Sequence, residues 1–245
     1  MTRVFQSTVQ QNNDPRKVVP VPMTQPSKPS RRLLVAAASV PLALTALLAA
    51  GAARANDDDG SSFSRGELRG KIGYCTDCHG SSGQGYFGFY TMPRLAGQTP
   101  EYLINQLRAF AERRRDGGLP IKLSRIHSIR PGLRMALANH FSGLNPKTLG
   151  RGPSEFVGSG KKIFQEGVPD SNVPACAACH GPQAQGSGPS ARLAGQLYRY
   201  TRKQLTTWSK GRGSDTEQTA IMQTIANNMS KQQIEAVAAY LNSLK

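Results

Sequence analysis

The chain opens polar, turns apolar once, and then settles into helical periodicity. Leu33 to Ala50 (LLVAAASVPLALTALLAA) runs uncharged directly behind Arg31-Arg32. Further on, Leu103, Leu107 and Phe110 fall at helical spacing and predict a buried stripe, followed by Arg113-Arg114-Arg115 where the helix dipole favours cations. Ile234, Val237, Ala238, Leu241 and Leu244 make a second stripe. Ser230 ahead of it can cap, with Gln233 as capping-box partner. A helix of the same kind is expected from about Pro131, a good first-turn residue, to Phe141. The fold class predicted is all-α.

The pattern also repeats, which marks tandem units. Pro93-Arg94-Leu95-Ala96-Gly97-Gln98 returns as Ala191-Arg192-Leu193-Ala194-Gly195-Gln196. Tyr102 and Gln106-Leu107 return as Tyr200 and Gln204-Leu205 at the same offset of 98 residues. Two domains of one ancestry follow, residues 56–145 and 159–245. Their linker, 146–158, lies in a stretch rich in Gly, Pro and Ser from Asn145 to Ser159. Each unit is expected to hold a short helix leading into a cysteine motif, a glycine-rich loop, a middle helix and a C-terminal helix.

Arg31-Arg32, the apolar run and Ala53-Arg54-Ala55 form a basic n-region, an h-region and an A-x-A site. That is the order of a secretory signal peptide, here over residues 1–55. A retained membrane anchor competes, because 18 uncharged residues just span a bilayer. Pro41 and the alanine-rich composition weigh against it. Met23-TQPSKPSRR makes an ordinary n-region, so Met23 reads as the true start. Ser30-Arg31-Arg32 matches a twin-arginine signal only in its dipeptide. Lys and Arg total 31 against 15 Asp and Glu, a net charge of +16 that falls to +10 without residues 1–55. A surface this basic favours acidic partners.

The four cysteines lie in two strings, Cys75-Thr76-Asp77-Cys78-His79 and Cys176-Ala177-Ala178-Cys179-His180. C-x-x-C-H attaches c-type haem: two thiols add to two vinyl groups on one porphyrin edge, which holds the adjacent histidine under the iron. Zinc-ribbon knuckles sit about 15–20 residues apart, far closer than Cys78 and Cys176. A thioredoxin-like site needs one C-x-x-C beside a βαβ pattern, and a disulfide reading leaves both histidines unexplained. Two haem c groups are therefore expected, on Cys75, Cys78, Cys176 and Cys179, with His79 and His180 on the irons. Export agrees, since bacteria attach c-type haem outside the cytoplasmic membrane. Gly83-Gln84-Gly85-Tyr86-Phe87-Gly88 fits G-x-G-x-x-G, but no predicted strand precedes it and a loop hugging the haem accounts for it better.

The paired C-x-x-C-H motifs, the twice-used RLAGQ block and the closing Ile221-Met222, Ser230 and Ala238-Ala239-Tyr240-Leu241 together resemble the dihaem cytochrome c4 family, over roughly Phe63 to Lys245. The resemblance implies two tandem class I cytochrome c domains, each wrapped around one covalently bound haem, shuttling electrons between membrane complexes in the periplasm. It also implies a sixth iron ligand from a methionine ahead of each domain's last helix. Met222 fills that position in the second domain, although core packing is an ordinary role for methionine. In the first domain, matching Ala138-Asn139-His140-Phe141 to Ala238-Ala239-Tyr240-Leu241 puts Lys122 opposite Met222. A lysine amine binds iron only when deprotonated, which burial promotes. An open or water-bound iron stands beside that reading, and His127 would serve if the loop repacks. Met135 and Met92 read as core, and His140 as structural.

The expected function is a periplasmic dihaem electron carrier rather than an enzyme. Haem supplies the chemistry, and no constellation of acid, base or nucleophile asks for a substrate. The partners expected are acidic docking surfaces on a terminal oxidase, a cytochrome bc-type complex or a dehydrogenase, met by a protein peripheral to the membrane. The other reading is a haem enzyme or small-ligand-binding protein, peroxidase-like, using a first haem that lacks methionine. A thiosulfate-oxidising dihaem enzyme would need a cysteine ligand outside the two motifs. Nucleic-acid binding has only charge in its favour and conflicts with export.

Overall fold

The computed structural model describes residues 62–115, 126, 129–212 and 216–245, all within one compact unit, Arg54–Lys245. The expected export segment lies outside the described residues, with Met23 and the 33–50 run. So do Lys122 and His127.

The first half begins with α1 (Arg65–His79), whose N-cap Ser64 accepts a hydrogen bond from the Glu67 N–H. Two short antiparallel strands follow, β1 (Tyr86–Phe87) and β2 (Thr91–Met92). Next come α2 (Pro100–Ala111), capped by Thr99 with Pro100 in its first turn, and α3 (Pro131–Ser142). The second half runs through α4 (Val157–Glu166), α5 (Ala177–His180), α6 (Tyr198–Thr206), α7 (Trp208–Gly211), α8 (Glu217–Asn228) and α9 (Lys231–Ser243). The Ser230–Gln233 capping box forms as the sequence predicts, and α3 begins at the expected proline. Among the described residues, no helix is long and apolar enough to cross a membrane.

Each half has its own core. Leu103, Leu133, Leu137 and Phe141 centre the first; Phe164, Val237, Tyr240 and Leu241 centre the second. In the second, α4 and α9 pack at backbone distance. A Cβ at Gly160 would run into the Ala236 carbonyl and lie 2.8 Å from the Tyr240 Cβ, so only glycine fits there.

Four local features differ from the expectation. Met135 is not core: it is 57% exposed, on the side of α3 opposite Leu133 and Leu137, because two residues along a helix turn the side chain by about 200°. The arginine run lies beyond α2 rather than in its last turn, with Arg113 in the left-handed region at φ 58°. A 3₁₀ turn (Ser154–Phe156) and the start of α4 occupy the end of the expected linker. The loop between the first cysteine motif and RLAGQ contains the β1–β2 hairpin, whose two-residue strands are too short to leave an alternating pattern.

Candidate cofactor site

Cys75, Cys78 and His79 occupy the end of α1, while Cys176 precedes α5 and Cys179-His180 close it. In both halves a glycine with positive φ ends the motif helix, Gly80 at 82° and Gly181 at 79°. The chain then folds back, with Gly85 N–H donating to the His79 carbonyl at 2.7 Å and Gly186 N–H to the His180 carbonyl at 2.8 Å. This return brings the Pro93 carbonyl to 2.8 Å from His79 Nδ1 and the Ala191 carbonyl to 2.7 Å from His180 Nδ1. A carbonyl can only accept. Nδ1 therefore carries the proton in both rings, and Nε2 keeps its lone pair for a metal. Burial lowers the His180 pKa against the opposing hydrogen bond to Ala191, which favours the neutral ring a metal needs. Burial also pushes the Cys75 and Cys176 thiols up to about 11, so both are protonated at neutral pH.

One cavity of about 820 Å³ is bordered by both motifs and by Met222. Met222 is half-buried on α8, where Ile225, at the i+3 position, lines the cavity with it, as does Met229 just past the helix end. In the first half, Met92 also lines the cavity, so its reading as simple core gives way. It directly precedes Pro93, the residue that holds His79, and so belongs to the histidine's side of the site. Ile126 and Ile129 border the same space; in the sequence they follow Lys122 and enclose His127. If Lys122 is the sixth ligand there, Lys122→Met should create a new methionine–iron charge-transfer band and raise the lower of two potentials. EPR and optical redox titration beside the wild type check this, and an unmoved low-potential signal removes Lys122 from the iron.

The repeated RLAGQ block joins the halves around a local two-fold axis. Gln98 Nε2 donates to the Arg192 carbonyl at 3.0 Å while its Oε1 accepts from Arg192 N–H at 2.5 Å. Gln196 does the same to Arg94, donating to its carbonyl at 3.0 Å and accepting from its N–H at 2.9 Å. The glycine of each block meanwhile ties its own domain, Gly97 N–H to the Phe141 carbonyl and Gly195 N–H to the Leu241 carbonyl, both at 2.9 Å. These glutamines were visible in the sequence only as part of a repeat. Their identical placement in both copies was the available signal; the pairing needed the two copies face to face.

A second network lies beside the first. Buried Arg212 donates to Tyr102 Oη at 3.1 Å, Gln106 Oε1 at 2.9 Å, Tyr200 Oη at 3.2 Å and Gln204 Oε1 at 2.8 Å. Arg115, from the other half, donates to Tyr200 Oη at 2.8 Å and to Gln106. Burial works against both cations, and Arg212 adds to the downward shift of Arg115. Burial would also raise the Tyr102 phenol, but the two guanidinium charges outweigh it and bring it below its usual value. Buried Arg212 and half-buried Arg115 thus meet phenols and amides, and all these side chains border the cavity.

These features fit haem c. The imidazoles present Nε2, the thiols come in pairs beside them, and the arginine pair suits a group that carries two carboxylates. The hydroxyl of buried Thr201, also on the cavity wall, has no hydrogen-bond partner among the described residues, an orphan that a carboxylate would satisfy.

The family model described as cytochrome c matches residues 157–245. Cytochrome c-552 of Acidithiobacillus ferridurans is 37% identical over 173 residues, covering 69% of this chain and 73% of that protein. Cytochrome c4 of Thiocapsa roseopersicina is 33% identical over 181 residues, covering 70% and 88%. The solved structure of Acidithiobacillus ferrooxidans cytochrome c4 superposes with a TM-score of 0.61 at 37% identity, covering 69% of this chain and 98% of that one.

Proposed function

The chain belongs to the dihaem cytochrome c4 family, and from that premise we propose that it is a periplasmic carrier taking electrons from a dehydrogenase or a cytochrome bc-type complex to a terminal oxidase. It is a c-type cytochrome, all-α, with two haem c groups. Haem c supplies one-electron chemistry at iron. In this reading Cys75 and Cys78 hold the first haem and Cys176 and Cys179 the second. His79 and His180 each present Nε2 to iron, oriented by the Pro93 and Ala191 carbonyls. Met222 offers its thioether to the second iron, and Lys122 its amine to the first.

The observation that supports a carrier is that one cavity is bordered by both histidines, Met222 and the Arg115–Arg212 network. Two redox centres bordering one cavity are suited to passing electrons between them. The net charge of +10 that remains without residues 1–55 supports acidic partners. Mixing the reduced protein with a haem–copper oxidase purified from the source organism's membranes tests this. Transfer should be fast at low ionic strength and fall as salt screens the encounter. A rate indifferent to salt sinks the acidic-partner reading.

A further inference from the structure

Among the described residues, the two halves differ in the loop that follows each cysteine motif. Fifteen positions lead from His79 to Arg94, but twelve from His180 to Arg192. The shorter loop closes on a Ser187–Ser190 bridge and carries no aromatic residue. The longer one pairs Tyr86 with Met92 and Phe87 with Thr91, and displays Tyr86, Phe87, Phe89 and Tyr90. All four are exposed, Phe89 at 95%. Exposed aromatic residues set this close together are uncommon on a protein that has no use for them.

The hairpin is braced rather than loose. A Cβ at Gly88 would collide with the Tyr86 ring, so that ring folds over the turn. Arg199, from α6 of the other half, stacks over Phe87 at 5.0 Å from its centroid. Gly150 lies against the same ring, 3.4 Å from it at its Cβ position. Phe89 and Tyr90 meet edge to face at 4.9 Å, with Phe89 almost wholly in solvent. Pre-ordered aromatic side chains lose little freedom on binding, which suits them to anchor an interface.

We propose that the Phe89–Tyr90 tip is the docking contact for a redox protein, one whose face has an apolar centre rimmed by carboxylates, and that electrons cross there at the first haem. This rests on the carrier reading above. Two observations choose the occupant. The second strand runs through Met92 into Pro93, whose carbonyl orients His79, so the tip is continuous with the first redox site and absent from the second. Exposed Arg199 lies over Phe87, and exposed Arg151 follows Gly150, which lies against the same ring; on a chain whose charge is +10 without residues 1–55 they supply the complement to an acidic rim. The step is a single electron transfer, in which the chain is oxidised by one electron and the partner's metal centre reduced by one, with no bond made.

The test compares wild type, Phe89→Ser/Tyr90→Ser and Arg199→Gln as complete holoproteins, reacting with the purified haem–copper oxidase and, separately, with hexaammineruthenium(II). The double variant should cut the second-order rate to the oxidase tenfold or more at low salt while its visible spectrum and its reduction by the ruthenium complex stay unchanged. Arg199→Gln should flatten the salt dependence. An oxidase rate within twofold of wild type overturns the proposal. So does an unchanged rate accompanied by lost binding to phosphatidylglycerol vesicles, or by conversion of a dimer to a monomer, since either gives the tip another occupant. If the wild type accepts electrons from ruthenium and passes none to the oxidase, the carrier reading fails instead and takes the docking surface with it.

Discussion

Met222→Ala should abolish the methionine–iron charge-transfer band of the oxidised protein and lower one of its two potentials, leaving the other in place. Axial ligands move haem potentials over a range of roughly 0.8 V, and loss of a thioether should account for a fall on the order of 0.2 V. The expectation is one-sided because Met222 borders the cavity from α8 of the second half, as do Leu193, Ile225 and Met229 of the same half. A side chain that merely filled the core would behave differently when truncated. It would cost stability through a void and leave the charge-transfer band intact. Spectroelectrochemical titration separates the two outcomes, and a persisting band removes Met222 from the iron.

The largest effect on stability is expected from Gln98→Ala combined with Gln196→Ala. Each glutamine satisfies both the N–H and the carbonyl of the arginine across the interface. Each Oε1 also accepts from its own domain, from Thr99 N–H at 3.1 Å or Leu197 N–H at 2.9 Å. An orphaned buried backbone group costs roughly 1–3 kcal/mol; with the Arg94 pair buried and the Arg192 pair half-buried, the four should together cost on the order of 3 kcal/mol. The two halves have separate cores, so the loss should appear as uncoupling. Urea unfolding of the wild type should be a single transition, and that of the double variant should split into two. A double variant that unfolds at the wild-type midpoint would show that the glutamines are dispensable. The single variants should cost about half as much each, unless one pair holds the interface alone.

The helices and the cysteine motifs were legible from residues because their causes are local. Ser230 and Gln233 are three apart and cap the same turn. Pro131 tolerates a first turn whatever surrounds it. The C-x-x-C-H strings are read from the reach of two thiols and one imidazole on a single helical turn. Leu133, Leu137 and Phe141 follow from periodicity once α3 is accepted, and the exposure of Met135 should have followed from the same count.

Other features could not be read this way. The β1–β2 hairpin has strands of two residues, too brief for any alternation. Arg115 reads as a helix-terminal cation until the turn at Arg113 carries it to Tyr200 in the other half. The RLAGQ block announced a repeat, and nothing in either copy said that each glutamine would serve the other copy's arginine.

Local chemistry along the chain was therefore enough to set two helical domains, two cysteine–histidine motifs and an inequivalence between the halves in which Met222 has no counterpart among equivalent positions. Only the packed chain decided that the two motifs share one cavity, that two arginines from opposite halves meet beside it, and that four aromatic residues stand out from one half alone. Those outcomes depend on residues roughly a hundred positions apart meeting in space, and such contacts are set by how the two cores fit together rather than by any spacing along the sequence.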